Sequence, residues 1–399
     1  IKPGEAYNAD HVAETVKAFT DYYGTFGFAF SKVDVTPDID RANNRVAFVL
    51  QGDPSRRAYV RRINLAGNNR TRDEVVRREF RQFEASWYDG DKIRLSRDRI
   101  DRLGFFNEVN VDTQEVTGTA DQVDLTVNLV EKPTGNLQLG AGFSSADKVS
   151  LTVGIKQENV FGSGNYLGVE VNTSKSNRQI ALSTIDPYFT ADGISRSLEV
   201  YHRTSRPLDG QGGDYGVKTT GASIRFGVPF TETDTVYFGS GYERLTIDKG
   251  LNPLPVTYQN YVNQFGKTSS SIPLTVGWTR DSRDSALVPT KGLYQRVYGD
   301  WGIAGDARFL RANYQIQQYI PLNRQFTVAL NGEFGWGRGL NNRPFPVFKN
   351  SYSGGLGSVR GFQQGSLGPR DTGGLAVGGP KKITLNAEVL APFPGVGND

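Results

Sequence analysis

The sequence predicts a mostly β protein in which α+β modules precede a long antiparallel sheet of membrane-barrel type. Three observations predict it. Up to residue 132, short stretches with apolar residues at helical spacing alternate with strands, whereas from Thr134 onward two-residue alternation takes over. The later segments often run nine residues or more, beyond the five or six of most soluble strands and close to the ~9–11 tilted residues that cross a bilayer. Finally, 47 Gly and 45 aromatic residues in 399 suit a chain with many turns and half-buried faces.

The elements follow in order. Ala9–Tyr23 reads as a helix, with Val12, Val16, Ala18 and Phe19 on one side. Ser31–Pro37 and Arg45–Gln51 read as strands around the polar turn Asp38–Asn44. A second unit shows the same order with its start intact: Tyr59–Ala66 is a strand and Gly67-Asn-Asn a turn. Thr71 with Glu74 forms a capping-box pattern, predicting a helix through Arg81. Asp91–Leu103 is a second helix ended by Gly104, and Phe106–Thr113 and Gln122–Val130 are strands. The two units share a helix, a Gly-aromatic corner and two antiparallel strands. They suit an internal repeat, or two unrelated small α+β domains.

In the long sheet, Leu137, Leu139, Ala141 and Phe143 alternate with Asn136, Gln138, Gly140 and Gly142. Leu310, Ala312, Tyr314 and Ile316 alternate with Arg311, Asn313, Gln315 and Gln317. Ile383, Leu385, Ala387 and Val389 alternate with Thr384, Asn386 and Glu388. About twelve such strands fall between residues 134 and 392. Alternation by itself suits a soluble sandwich as well. The polar face favours a barrel, because Arg311, Glu333 and Glu388 sit comfortably against a watery lumen. Aromatics near strand ends, such as Tyr188, Phe189, Trp301 and Trp336, suit interfacial girdles.

Composition excludes several chemistries. There is no Cys, and the two His, His11 and His202, fall in contexts that suit neither a triad nor a metal site. A formal net charge of +4 is too balanced for a nucleic-acid surface. The Gly-rich stretch 354–361 lacks the Lys-Ser or Lys-Thr and the helix of a phosphate loop. Charges in Trp278–Asp284 read as a structural turn rather than a paired-carboxylate site. No run of ~18 apolar residues predicts a membrane helix. The absence of Met and of a leader suggests an internal fragment.

Val359-Arg360-Gly361-Phe362, in a Gly-rich loop near the end of a β-rich chain, resembles the signature of the BamA family of outer-membrane barrels. Other segments carry the likeness in order: 59–68, 77–84, 96–106, Asp186–Phe189, Pro344–Phe348, Tyr352–Gly355 and Leu367–Pro369. The resemblance implies POTRA modules of β-α-α-β-β order followed by an incomplete transmembrane antiparallel β-barrel, about 12 of an expected 16 strands. Residues 1–52 would be the C-terminal part of one POTRA module, 57–132 a complete one, and 134–399 the barrel, truncated at its C-terminus.

The implied function is assembly of other barrels in the bacterial outer membrane, with the POTRA modules in the periplasm. Related alternatives are a two-partner-type polypeptide secretion transporter and a passive porin. Implied partners are unfolded outer-membrane β-barrel clients, accessory assembly lipoproteins and outer-membrane lipid. No nucleic acid, metal, cofactor or enzyme activity is implied. Arg360 would contact a carboxylate inside the barrel, and Glu388 qualifies by parity, although either residue also reads as an ordinary solvated group. A further Asp partner belongs to a later strand, outside this chain. Arg77 and Glu84 match a lipoprotein contact. The first barrel strand, Gly135, Asn136, Leu137, Gln138, Leu139, Gly140, Ala141, Gly142 and Phe143, would form a lateral seam. Its three glycines suit a seam that opens, or a crowded lumen.

Overall fold

The computed structural model describes residues 4–144, 148–175, 177–206, 215–250, 254–285, 288–323, 325–355, 357–363 and 365–391. They form two units: residues 1–135 with 158–164, and residues 136–157 with 165–399.

The first unit opens with α1 (Ala9–Gly24), β1 (Lys32–Asp40) and β2 (Arg45–Asp53). Asn8 caps α1 by accepting from the Asp10 amide at 2.8 Å. Asp40 closes the β1–β2 hairpin by accepting from the amides of Ala42 and Asn43. Then come β3 (Tyr59–Ala66), α2 (Asp73–Arg77), α3 (Gly90–Arg102), β4 (Phe106–Glu115) and β5 (Gln122–Glu131). The sheet order is β3-β5-β4, with β5 parallel to β3 and antiparallel to β4. Crossing over to a parallel partner takes a long connection, and α2 and α3 fill it. Alternation along β5 sends Val123, Leu125, Val127 and Leu129 into a core with Val60, Val75, Val76 and Ile100. Each such side chain contributes about 1.5–3 kcal/mol by leaving water.

The capping box expected at Thr71 is absent. Arg72 occupies the cap position without a side-chain hydrogen bond, and the helix ends at Arg77. Thr71 is buried, and its hydroxyl accepts from Asn159 Nδ2 at 2.9 Å. Its amide is taken by the Glu131 carboxylate at 2.7 Å. Tertiary partners have displaced the local cap. Gly162 also packs in this unit, at φ 73°, and a Cβ there would lie 1.9 Å from the Arg70 carbonyl oxygen. Only glycine fits that approach.

The second unit is one antiparallel sheet of twelve strands. They are β6 (Gly135–Ser144), β7 (Lys148–Gln157), β8 (Tyr166–Thr173), β9 (Asn177–Asp186), β10 (Ser195–Ser205) and β11 (Tyr215–Pro229). The series continues with β12 (Asp234–Lys249), β13 (Thr268–Asp281), β14 (Gly292–Gly305), β15 (Phe309–Pro321), β16 (Thr327–Gly339) and β17 (Lys381–Leu390). Among the described residues each strand pairs with its sequence neighbours, and β17 and β6 are the two edges of the sheet. Pro273, which has no amide to donate, sits where the β13–β14 register shifts.

One face of this sheet is apolar and exposed, with Val200 at 55% and Val276 at 61%. The other is polar: Arg311 reaches Asp300 from the neighbouring strand, and Thr275 donates to the same carboxylate at 2.9 Å. Helix α4 (Val256–Phe265) lies in the β12–β13 loop. Its Tyr258 and Tyr261 pack with Tyr215, Leu245, Ile247 and Val347.

Candidate functional site

The long connection between β16 and β17 folds back against the polar face of β17. Alternation along β17 places Thr384, Asn386 and Glu388 on that face. Each meets the loop. Ser353 Oγ lies 3.3 Å from Thr384 Oγ1, and Asn386 Nδ2 donates to the Ser358 carbonyl at 2.8 Å. Arg360 Nη2 stands 3.5 Å from Glu388 Oε1. The loop therefore tracks the strand at a two-residue step. Behind it, Lys382 pairs with Glu333 at 2.5 Å. Arg360, Glu388 and Glu333, with Gln315, Gln317 and Asn386, line a polar cavity of about 230 Å³.

The loop's own shape comes from glycine and from short backbone bridges. Gly354 has φ 109°, and a Cβ there would lie 2.5 Å from the Gln363 carbonyl oxygen. Ser353 pairs with Leu367, Ser351 with Gly379 and Arg370 with Ala376. Asp371 accepts from the amides of Val256, Leu375 and Gly373 at 2.9–3.0 Å. Burial pushes its carboxyl up, but those amides together hold it below the usual carboxylate range. Tyr258 donates to the Val347 carbonyl at 3.1 Å and shares a 2.9 Å hydrogen bond with Tyr352. Lys349 pairs with Glu243 of β12 at 2.5 Å.

The signature residues lie as follows. Val359 is half-buried, Gly361 has φ 84°, and Phe362 is 53% exposed. The side chains of Arg360 and Glu388 are 69% and 32% exposed, so their ion pair is wet rather than buried. Residues 135–143 of β6 are all exposed, with β7 as their neighbour. A Cβ at Gly140 would meet only Thr152, at 3.6 Å. Crowding therefore does not explain that glycine.

Arg77 and Glu84 come together at 3.8 Å, and both also serve the edge of β3. Glu84 accepts from the Ile63 amide at 2.8 Å, and Arg77 donates to the Ile63 carbonyl at 3.1 Å. Next to them, residues 85 and 86 hydrogen-bond Val60 and Trp87 bridges Tyr59. The β3 edge is thus occupied, whereas among the described residues β4 pairs only with β5. Among the described residues no group of three His, Cys, Asp or Glu is disposed to hold a metal.

The sequence reading missed Asn386, Thr384, Lys349 and the Tyr258–Tyr352 contact. Strand parity pointed to the first two, since they share the face of Glu388. Nothing local marked the others.

Residues 159–399 match the Omp85 superfamily domain, and residues 1–51 and 58–132 match the POTRA family, described as a surface antigen variable number repeat. The outer membrane protein assembly factor BamA of Neisseria meningitidis serogroup B is 38% identical over 99% of this chain and 51% of its own length. A crystal structure of BamA from Haemophilus ducreyi lacking POTRA domains 1–3 superposes with a TM-score of 0.74 at 26% identity, covering 100% of this chain and 79% of that one. CdiB from Acinetobacter baumannii shares the fold, with a TM-score of 0.56 at 16% identity over 98% of this chain and 70% of that one. The chain spans about half the length of the curated relatives it matches. With this domain matching residues 159–399, the chain belongs to the Omp85 superfamily.

Proposed function

We propose that the protein assembles outer-membrane β-barrels by strand templating beside β6, with its modules receiving unfolded clients in the periplasm. The observation that carries this reading is a gradient in strand length. β6 to β10 have 8–11 residues, whereas β11 to β16 have 13–16. At about 3.3 Å per residue, β8 is roughly 26 Å long and β12 roughly 53 Å. Tilted by about 45°, β8 spans less than a hydrocarbon core of about 30 Å, and β12 more. A short side thins the bilayer next to it and lowers the barrier to inserting a new strand.

The backbone carries the work. A strand edge offers unpaired N–H and C=O groups that template an incoming strand. In the 57–132 module the β4 edge is the one open to a client, because Arg77, Glu84 and residues 85–87 occupy β3. Arg77 and Glu84 remain about half exposed, which supports their second use as a lipoprotein contact on this module. Arg360 holds the returning loop in register on β17, and residues 134–399 act as the barrel around it. No bond in a substrate is made or broken.

Reconstitution tests the reading. The complete protein in lipid vesicles should speed the folding of a urea-unfolded barrel client severalfold over empty vesicles, and no acceleration would overturn it. Polypeptide export through the lumen is the second reading. It predicts that a client appears inside the vesicle and not in its membrane.

A further inference from the structure

The geometry points to a binding site for an anionic, phosphate-bearing lipid on the outward face of β9–β12, at the end where β10 runs into β11. Cross-strand register builds it. His202 lies opposite Ile180 and Thr220, and Thr220 lies opposite Arg244. One step further out, Thr204 lies opposite Arg178 and Lys218, and Lys218 opposite Thr246. All lie on the face that carries the exposed apolar residues Leu182, Val200 and Ile224, by two-residue parity.

Charge is distributed unequally along this face. At the end where β9 runs into β10, the outward arginines Arg196 and Arg280 each have an acid. Arg280 pairs with Asp234 at 2.9 Å, and Arg196 lies 3.9 Å from Asp186 and 4.2 Å from the Phe189 ring centre. At the far end, Lys218 pairs with Asp248 at 2.7 Å, and His202 Nδ1 contacts Thr220 at 2.7 Å. Arg178 and Arg244 have no ion pair or hydrogen bond among the described residues. A guanidinium on a lipid-facing surface is costly unless an anion meets it.

A lipid supplies both halves of the match. Its phosphates take the guanidinium forks and threonine hydroxyls, and its acyl chains cover Leu182, Val200 and Ile224. Neighbouring strands stand about 4.8 Å apart and residues two apart along a strand about 7 Å, so Arg178 and Arg244, three strands apart and two residues offset, have backbones about 16 Å apart. A headgroup with more than one phosphate bridges that span. The site stands whether the protein assembles clients or exports them.

Native mass spectrometry of the complete protein, released from detergent, reads the site. The probes are diphosphorylated lipid A, the same lipid stripped of phosphate, and inorganic phosphate. Lipid A should be retained, the stripped lipid should not, and inorganic phosphate at millimolar concentration should not displace it. Arg178→Gln with Arg244→Gln should weaken retention about thirtyfold, at ~1 kcal/mol for each of the two charges. Arg280→Gln should leave it unchanged. Should the double variant lose its heat-modifiable fold, Arg178→Lys with Arg244→Lys and the stripped lipid carry the test, the lysines retaining lipid A. Equal retention of stripped lipid, equal retention by a folded double Gln variant, or full displacement by inorganic phosphate would each overturn the site.

Discussion

Exchanging Arg360 and Glu388 for Gln, singly and together, measures how the loop is held to the barrel wall. The two charges stand 3.5 Å apart. At that distance Coulomb's law gives about 1.2 kcal/mol in water and about 4.7 kcal/mol at an effective dielectric of 20. Side-chain exposures of 69% and 32% put the pair near the aqueous limit. Side-chain ordering reduces it further, so the coupling should be about 0.2–1 kcal/mol. The neutral bond from Asn386 to the Ser358 carbonyl should matter as much, and Asn386→Ala should cost about 1 kcal/mol. The assay is a double-mutant cycle on denaturant unfolding of the complete barrel, with client folding measured in parallel. A coupling above about 3 kcal/mol would refute this reasoning, because it would require a dry, desolvated pair.

Four other outcomes are expected. Gly162→Ala should destabilise the module by about 2 kcal/mol or more, since it adds a clash to a positive φ; an unchanged melting temperature would contradict the packing described. Glu84→Ala should cost about 1 kcal/mol and raise amide exchange at Ile63 specifically, because it removes that amide's partner. Leu125→Ala should cost about 2–5 kcal/mol in module stability, Leu125 being fully buried. Asp284, in the β13–β14 turn, is held at about 2 by the Thr290 hydroxyl and by the amides of Thr290, Lys291 and Ser285. A depressed carboxyl stabilises the turn above its ordinary value of 3.8 and loses that contribution as pH falls through about 2. An NMR titration midpoint near 3.8 would show that the turn does not hold the ionised form.

Sequence patterning located most strands because each periodicity has one geometric cause. Val123, Leu125 and Val127 face a core, and Thr384, Asn386 and Glu388 face a watery wall. Thr71 misled because its capping-box pattern is local, whereas its real partners, Glu131 and Asn159, lie 60 and 88 residues away. Helix α4 went unread although Tyr258, Tyr261, Val262 and Phe265 have helical spacing. It begins after Pro255 with no side-chain cap, and a short tyrosine-rich stretch inside a barrel loop resembles the loop around it. Parity puts Glu388 on the polar face of β17, 3.5 Å from Arg360, but no pattern reveals that Asn386 reaches a backbone carbonyl. The way Arg77 and Glu84 together occupy the amide and carbonyl of Ile63 is likewise invisible in sequence.

Pairing of a client strand beside β6 can be read by disulfide trapping. The chain has no cysteine, so single cysteines can be placed in β6 without background from within it. Leu137→Cys and Leu139→Cys, against cysteines in the last strand of a stalled client, should cross-link in one register, because only facing Cβ atoms about 4 Å apart can form the bond. Cross-links to Asn313→Cys or Gln315→Cys on the inner wall, with none to β6, would contradict templating and indicate passage through the lumen.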